Sequence, residues 1–308
     1  MMVLFGLLIG NALSLFYIVA VTGTSLDGVA AIISAPVAEN SNVLKWANSI
    51  TQVFSFLLPA VAFYFLFGKK TVNGLMLRTP GFFALSGIAY IFLSAAWIDV
   101  VSRLNEWLLP EGSRFAQWAA PKEQAAEQLT EVMLTSSNGW DTGITIVSIA
   151  LLPAVCEELL FRGVLQPLLA KAFRNIHLAI WVSAALFSAI HMQFYGFLPR
   201  MLMGALLGYL VVWSGSLWTS MLAHAANNTL AIVTFMTYHS LNGEELSADS
   251  GGVLFNYILS FALFGLATYY LSNRSKWPAY AHAYLGLDAE VSAATEPQPD
   301  ESEQDASV

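Results

Sequence analysis

Charge is what this sequence lacks most. Asp, Glu, Lys and Arg together make up 11% of its 308 residues, less than half the roughly 25% of an ordinary soluble domain. So few charges cannot coat a water-facing surface, and the composition points to a chain solvated by lipid. Cysteine is nearly absent too. The single Cys156 excludes an intramolecular disulfide. Basic residues are the scarcer sign, 13 against 21 acids, and they form no stripe that would serve as a nucleic-acid surface. No Lys or Arg follows Lys276, whereas Asp288, Glu290, Glu296, Asp300, Glu301, Glu303 and Asp305 do. The net charge of −8 therefore belongs mostly to the tail, and the rest is close to neutral.

What is abundant is apolar sequence, 56% of the chain. A window of about 20 residues finds roughly eight apolar segments, near 2–22, 50–68, 80–101, 143–170, 178–195, 197–213, 216–237 and 253–272. The expected fold is an all-α, polytopic membrane bundle of about eight helices. The first segment has no basic leader and is long for a signal-peptide core, so it reads as a retained first helix. Ser214-Gly215-Ser216 is so short a link that the sixth and seventh segments should form a tight hairpin. The organisation expected is three helices and a long loop over 1–142, a core over 143–235, a last helix within 236–276 and an acidic disordered tail over 277–308. Within the 102–142 loop, apolar residues recur at helical spacing around Trp107 and Trp118, which suggests an amphipathic helix at the membrane interface.

Basic residues set the expected orientation. Lys69, Lys70 and Arg78, then Lys171 and Arg174, then Arg274 and Lys276 fall on one side of an eight-helix arrangement. The positive-inside rule makes that side, and both termini, cytoplasmic. Arg103, Arg114, Lys122 and Arg200 are the exceptions.

Against this background the stretch AVCEELLFRG, residues 154–163, is anomalous. Glu157, Glu158 and Arg162 sit together in an apolar segment. Each ionised side chain at a helix centre costs about 2.5–3.5 kcal/mol, so the three must face the bundle interior. Glu158 and Arg162 are four apart and share a face, which suits an ion pair. Glu157 is turned by about 100° from Glu158 and is left over as a spare carboxylate, free to act as a general base. Two further pairs follow at the same spacing: Phe187 with His191, and His224 with Asn228. His191 and His224 are the histidines well inside apolar segments. A carboxylate with a histidine can activate water, and a histidine with an asparagine can donate to a developing oxyanion. Ser183, Ser188 and Ser220 sit in no nucleophile motif. Two histidines and a glutamate are also frequent zinc ligands, although no HExxH is present. The metal question stays open at this point, with Glu157, His191 and His224 as the ligands if a divalent ion such as zinc is bound.

Glu157-Glu158-x-x-x-Arg162, Phe187-x-x-x-His191 and His224-x-x-x-Asn228, in that order and each in an apolar segment, resemble the CPBP family, also called the Abi or CAAX-protease-like family of intramembrane proteases. The resemblance covers about 143–235. It implies an endopeptidase, related to the type II enzymes that remove the last three residues from prenylated proteins within an eight-helix bundle. Glu157 would then activate water with help from His191, while His224 and Asn228 form the oxyanion hole. Glu158 and Arg162 would support the site, and Phe187 would wall it. The substrate would be a peptide or protein reaching the site from the bilayer. That mechanism needs no cofactor, although the family is often described as metalloproteases. Some members take part in bacteriocin processing or immunity, or serve as scaffolds, so a non-catalytic membrane partner is the alternative.

Overall fold

A computed structural model of the chain describes residues 2–68, 77, 79–110, 112–240 and 250–274. Among them are eleven helices and no strand. They are α1 (Met2–Thr22), α2 (Leu26–Ser34), α3 (Ala38–Phe67), α4 (Phe83–Leu93), α5 (Ala95–Leu108), α6 (Arg114–Leu134), α7 (Gly139–Phe173), α8 (Ile176–Ala189), α9 (Phe197–Ser214), α10 (Leu217–Ser240) and α11 (Ser250–Asn273). The molecule is a polytopic helical bundle. Lys69, Lys70, Arg78, Lys276 and the acidic tail lie outside the described residues.

Every apolar window of the sequence contains a helix. Among the described residues, five helices are by length and composition apolar enough to cross a membrane, α1, α3, α7, α9 and α11, and six if α4 and α5 form one bent span, against about eight expected. Two windows fall short for different reasons. α8 has 14 residues, about 21 Å of helix against a hydrocarbon core of about 30 Å. α10 is 24 residues long, but it carries His224, Asn227, Asn228 and several hydroxyl side chains, which lower its hydropathy. The second span also starts earlier than expected, at Ala38 rather than near 50.

Burial separates centre from rim. In α7, 61% of the apolar window is buried, and in α9 56%, against 17% in α1 and 6% in α11. Phe16, Phe255 and Tyr269 on the outer helices are exposed, as expected of side chains that meet acyl chains rather than water. The large core cluster joins α4, α7, α8, α9 and α10, with Ala60 of α3 and Leu271 of α11 at its edges.

Prolines shape the two long helices that carry polar groups. π-helical turns occupy Val53–Leu57 of α3, and Ile146–Leu151 and Phe161–Leu165 of α7. Pro59, Pro153 and Pro167 each lie two residues beyond such a turn. A helical proline has no N–H to donate and its ring crowds the carbonyl four residues back. Widening the preceding turn relieves that clash. The Glu157–Glu158 pair thus sits between two widened turns of α7. Ser94 makes the 41° bend between α4 and α5. Its Oγ donates to Ile91 O at 2.6 Å, and such a bond back to the helix competes with the backbone ladder.

Close packing at the centre depends on Gly204 and Gly208, four apart on α9. A Cβ on Gly208 would meet Gln166 Oε1 at 2.7 Å and Ile180 Cγ2 at 3.0 Å. A Cβ on Gly204 would crowd Ala184 and Arg162. Small residues at this spacing let helices approach in a membrane. The expected hairpin is present: α9 ends at Ser214, Gly215 takes a left-handed φ of 67°, and α10 starts at Leu217.

Candidate active site

The site begins in the middle of α7. Glu157, Glu158 and Arg162 are all buried, and Arg162 is among the largest fully buried side chains. Arg162 Nη1 donates to Glu158 Oε1 at 2.6 Å, and its Nη2 donates to Gly204 O at 2.7 Å. The guanidinium also lies over the Phe187 ring, 4.8 Å from its centroid. One carboxylate, a backbone carbonyl and an aromatic face therefore hold the buried cation.

Glu157 has no such cation. Its Oε1 accepts from Gln52 Nε2 on α3 at 3.1 Å, and its Oε2 stands 3.9 Å from His224 Nε2, beyond hydrogen-bond length. His224 is oriented from behind: Nδ1 lies 3.0 Å from Glu158 Oε1. A carboxylate can only accept, so Nδ1 carries the proton and Nε2 faces Glu157. His191 is fixed in the same way, with Nδ1 donating to Phe187 O at 2.8 Å. Phe187 packs edge-on against both imidazoles, with centroid separations of 5.1 Å to His191 and 5.9 Å to His224.

A cavity of about 760 Å³ brings these groups together. Glu157, Phe187, His191, His224 and Asn228 all line it. Ile91, Phe92 and Ala95 at the α4–α5 bend close one wall, and Thr130 and Leu134 of α6 close another. Glu158 and Arg162 are behind this surface rather than on it. Ser183, Ser188 and Ser220 donate to the carbonyls of Phe161, Phe197 and Leu217, and none lines the cavity.

The helical placement of His191 needs correction. α8 ends at Ala189, and His191 occupies a turn just beyond it, where His191 N bonds Ser188 O and Met192 takes a left-handed φ of 54°. Its fourfold spacing from Phe187 survives because that turn continues the helical sense by one step. The amphipathic segment expected in the 102–142 loop is a real helix, α6, capped by Ser113 Oγ accepting from Ala116 N. However, 102–108 belongs to α5 rather than to a loop. Among the described residues no group of three or more His, Cys, Asp or Glu side chains is arranged to hold a metal ion, so the set Glu157, His191 and His224 does not fit one as placed.

Polar residues outside the three motifs also line the cavity, among them Asn48, Gln52, Asp99, Asn227 and Arg200. Gln52 is an amide in an apolar window, so the reasoning that singles out Glu157 applies to it too. Arg200 stands in the sequence only as an exception to the charge asymmetry.

Comparisons with known proteins bear on this segment. Residues 139–230 match the family model described as Type II CAAX prenyl endopeptidase Rce1-like. The uncharacterized protein YpbD of Bacillus subtilis (strain 168) is 34% identical over 83 residues, which are 26% of this chain and 39% of that protein. No solved structure matches. The matched stretch runs from the start of α7 into α10 and carries all three motifs, so the match to the Rce1-like family agrees with the resemblance read from them.

Proposed function

We propose that this protein is an intramembrane endopeptidase that hydrolyses a peptide bond in the α7–α10 cavity. The observation that carries the reading is the convergence of Glu157, His191, His224 and Asn228 on one cavity, with Arg162 bonded to Glu158 rather than to Glu157. A carboxylate neutralised by arginine is a brace. One facing a cavity and two imidazoles is placed to take a proton.

In this mechanism Glu157 accepts a proton from water, and His191 Nε2, left as an acceptor, holds the water's second hydrogen. The oxygen adds to the peptide carbonyl carbon. The resulting oxyanion accepts hydrogen bonds from the Asn228 amide and from Nε2 of His224 in its imidazolium form, which keeps its Nδ1 proton on Glu158 as well. The C–N bond breaks as Glu157 passes its proton to the departing amine. Glu158 keeps the His224 ring in register, as an orienting carboxylate does in other hydrolases. Arg162 neutralises Glu158, and Gln52 holds Glu157 at the cavity edge.

The test is comparative proteomics of cells carrying wild-type or Glu157→Ala protein. The expected result is a set of membrane-associated polypeptides that accumulate uncleaved when Glu157 is replaced, and likewise with His191→Ala, while both variants insert normally. A phenotype unchanged by both substitutions but lost on altering α6 makes the protein a non-catalytic membrane partner instead.

A further inference from the structure

The turn that carries His191 is held from outside itself. Between Ala189, where α8 ends, and Phe197, where α9 starts, the chain follows no helix. Backbone without a ladder must find other partners, side chains among them. Asn105 of α5 supplies three bonds at once. Its Nδ2 donates to Phe194 O at 3.0 Å and to Tyr195 O at 2.9 Å, and its Oδ1 accepts from Leu198 N at 3.0 Å. A side-chain amide has two N–H donors and one oxygen, so all its polar atoms are engaged with this connection and the start of α9. Glu123 of α6 accepts from Tyr195 N at 3.3 Å, and Ser188 Oγ of α8 donates to Phe197 O at 2.7 Å.

Asn105 is 3% exposed and continues the face of α5 that closes the cavity. Ile98 and Ser102 of that face line it, and Asn105 follows Ser102 by three residues. Asn105 does not line the cavity itself. What it fixes is the path of the main chain just beyond His191. Met192 there takes a left-handed φ of 54°. Such a conformation is uncommon in a residue other than glycine and persists only where the surroundings impose it. The first carbonyl held by Asn105 comes two residues later, at Phe194. On the other side, His191 Nδ1 is tied to Phe187 O at the end of α8. His191 is thus pinned between the last turn of α8 and the Asn105 clamp, and the direction of Nε2 follows from both.

We propose that Asn105 is a positioning residue for His191. By clamping the α8–α9 connection from α5, it holds the imidazole where Nε2 meets the water that Glu157 activates. The catalytic consequence rests on the endopeptidase reading; the clamp does not. Asn105 touches no reacting group, so it acts through His191. It also lies upstream of all three motifs, on a helix that the motifs do not include.

The experiment compares full-length wild type, Asn105→Leu, His191→Ala and the double variant in lipid nanodiscs. Asn105→Leu keeps the volume and removes all three bonds. Amide hydrogen exchange across 190–198 is read by mass spectrometry. Cleavage is read on the polypeptide that the Glu157→Ala comparison identifies, in single turnover for the slow variants. In Asn105→Leu, exchange across 190–198 is expected to be at least about tenfold faster, with the centres of α7 and α10 unchanged. Its kcat should fall about 10²-fold while KM stays within about twofold. In the His191→Ala background the same substitution should lower the residual rate by less than about twofold, because the group it positions is gone. Should Asn105→Leu fail to fold, Asn105→Ser, which keeps one hydroxyl, is read in the same way. Unchanged exchange across 190–198 overturns the proposal. So does a loss of kcat by the same factor with and without His191, or a rise in KM with kcat kept. Cleavage that survives Glu157→Gln ends the endopeptidase reading instead, and the exchange result still decides whether the clamp exists.

Discussion

Two buried ion pairs in this molecule differ in one respect that matters. Lys45 and Asp141 join α3 to the start of α7, and no buried side-chain polar atom of either lacks a hydrogen-bond partner. Lys45 Nζ donates to Asp141 Oδ1 at 2.7 Å and to Thr135 O at 2.9 Å, while Asp141 Oδ2 accepts from Ser137 N at 2.9 Å. Neither side chain lines the cavity. Arg162 and Glu158 are bonded as tightly, but a second carboxylate stands beside them with only an amide for company. A closed pair braces helices. A pair with a spare acid at a cavity edge is equipped for chemistry. Burial and charge alone do not separate the two; the count of unused groups does.

Breaking that comparison should give effects of descending size. Glu157→Ala is expected to lower peptide cleavage at least 10³-fold, about 4 kcal/mol of transition-state stabilisation, with thermal stability nearly unchanged or raised, because it removes a buried charge that has no cation. Turnover and melting curves of the same preparation check this. Asp141→Ala should do the opposite. It strands the Lys45 charge, costs about 3–5 kcal/mol of stability, and leaves cleavage per folded molecule within about twofold. Replacing Lys45 and Asp141 together by Met and Leu should recover most of that loss, as measured by thermal unfolding in detergent. Gly208→Ala is expected to cost about 1–3 kcal/mol through overpacking against Gln166 and Ile180, again read from unfolding. Gln52→Leu is the mildest in fold and the more telling in function. It keeps the volume, removes the bond to Glu157, and should cut turnover about tenfold while leaving substrate retention intact.

The two ion pairs also show what the sequence makes legible. The helices were readable because lipid demands long apolar runs, and Glu157, Glu158, Arg162, His191, His224 and Asn228 were readable because polar groups in such runs need a reason. The Lys45–Asp141 brace was not. Both residues fall where hydropathy indicates a loop, and only the upstream extension of α3 to Ala38 brings them together. The turn at His191 was hidden for a similar reason. Its neighbours are apolar, and a hydropathy window does not register that Met192 leaves the helical region. The bend at Ser94 needed the side-chain bond to Ile91, a local competition that no periodicity records. Short α8 and polar α10 lie beyond a rule calibrated on uniform spans, because the centre of the bundle is where the polar groups concentrate.

The central claim is that the carboxylate of Glu157, and not merely its bulk or its bond to Gln52, drives hydrolysis. Glu157→Gln tests it most directly, since the amide keeps the size and a hydrogen-bonding oxygen but accepts no proton from water. The protein, purified in nanodiscs, should bind its cleavable peptide within about threefold of wild type and show no turnover above background. Cleavage by Glu157→Gln at more than about a tenth of the wild-type rate contradicts the account.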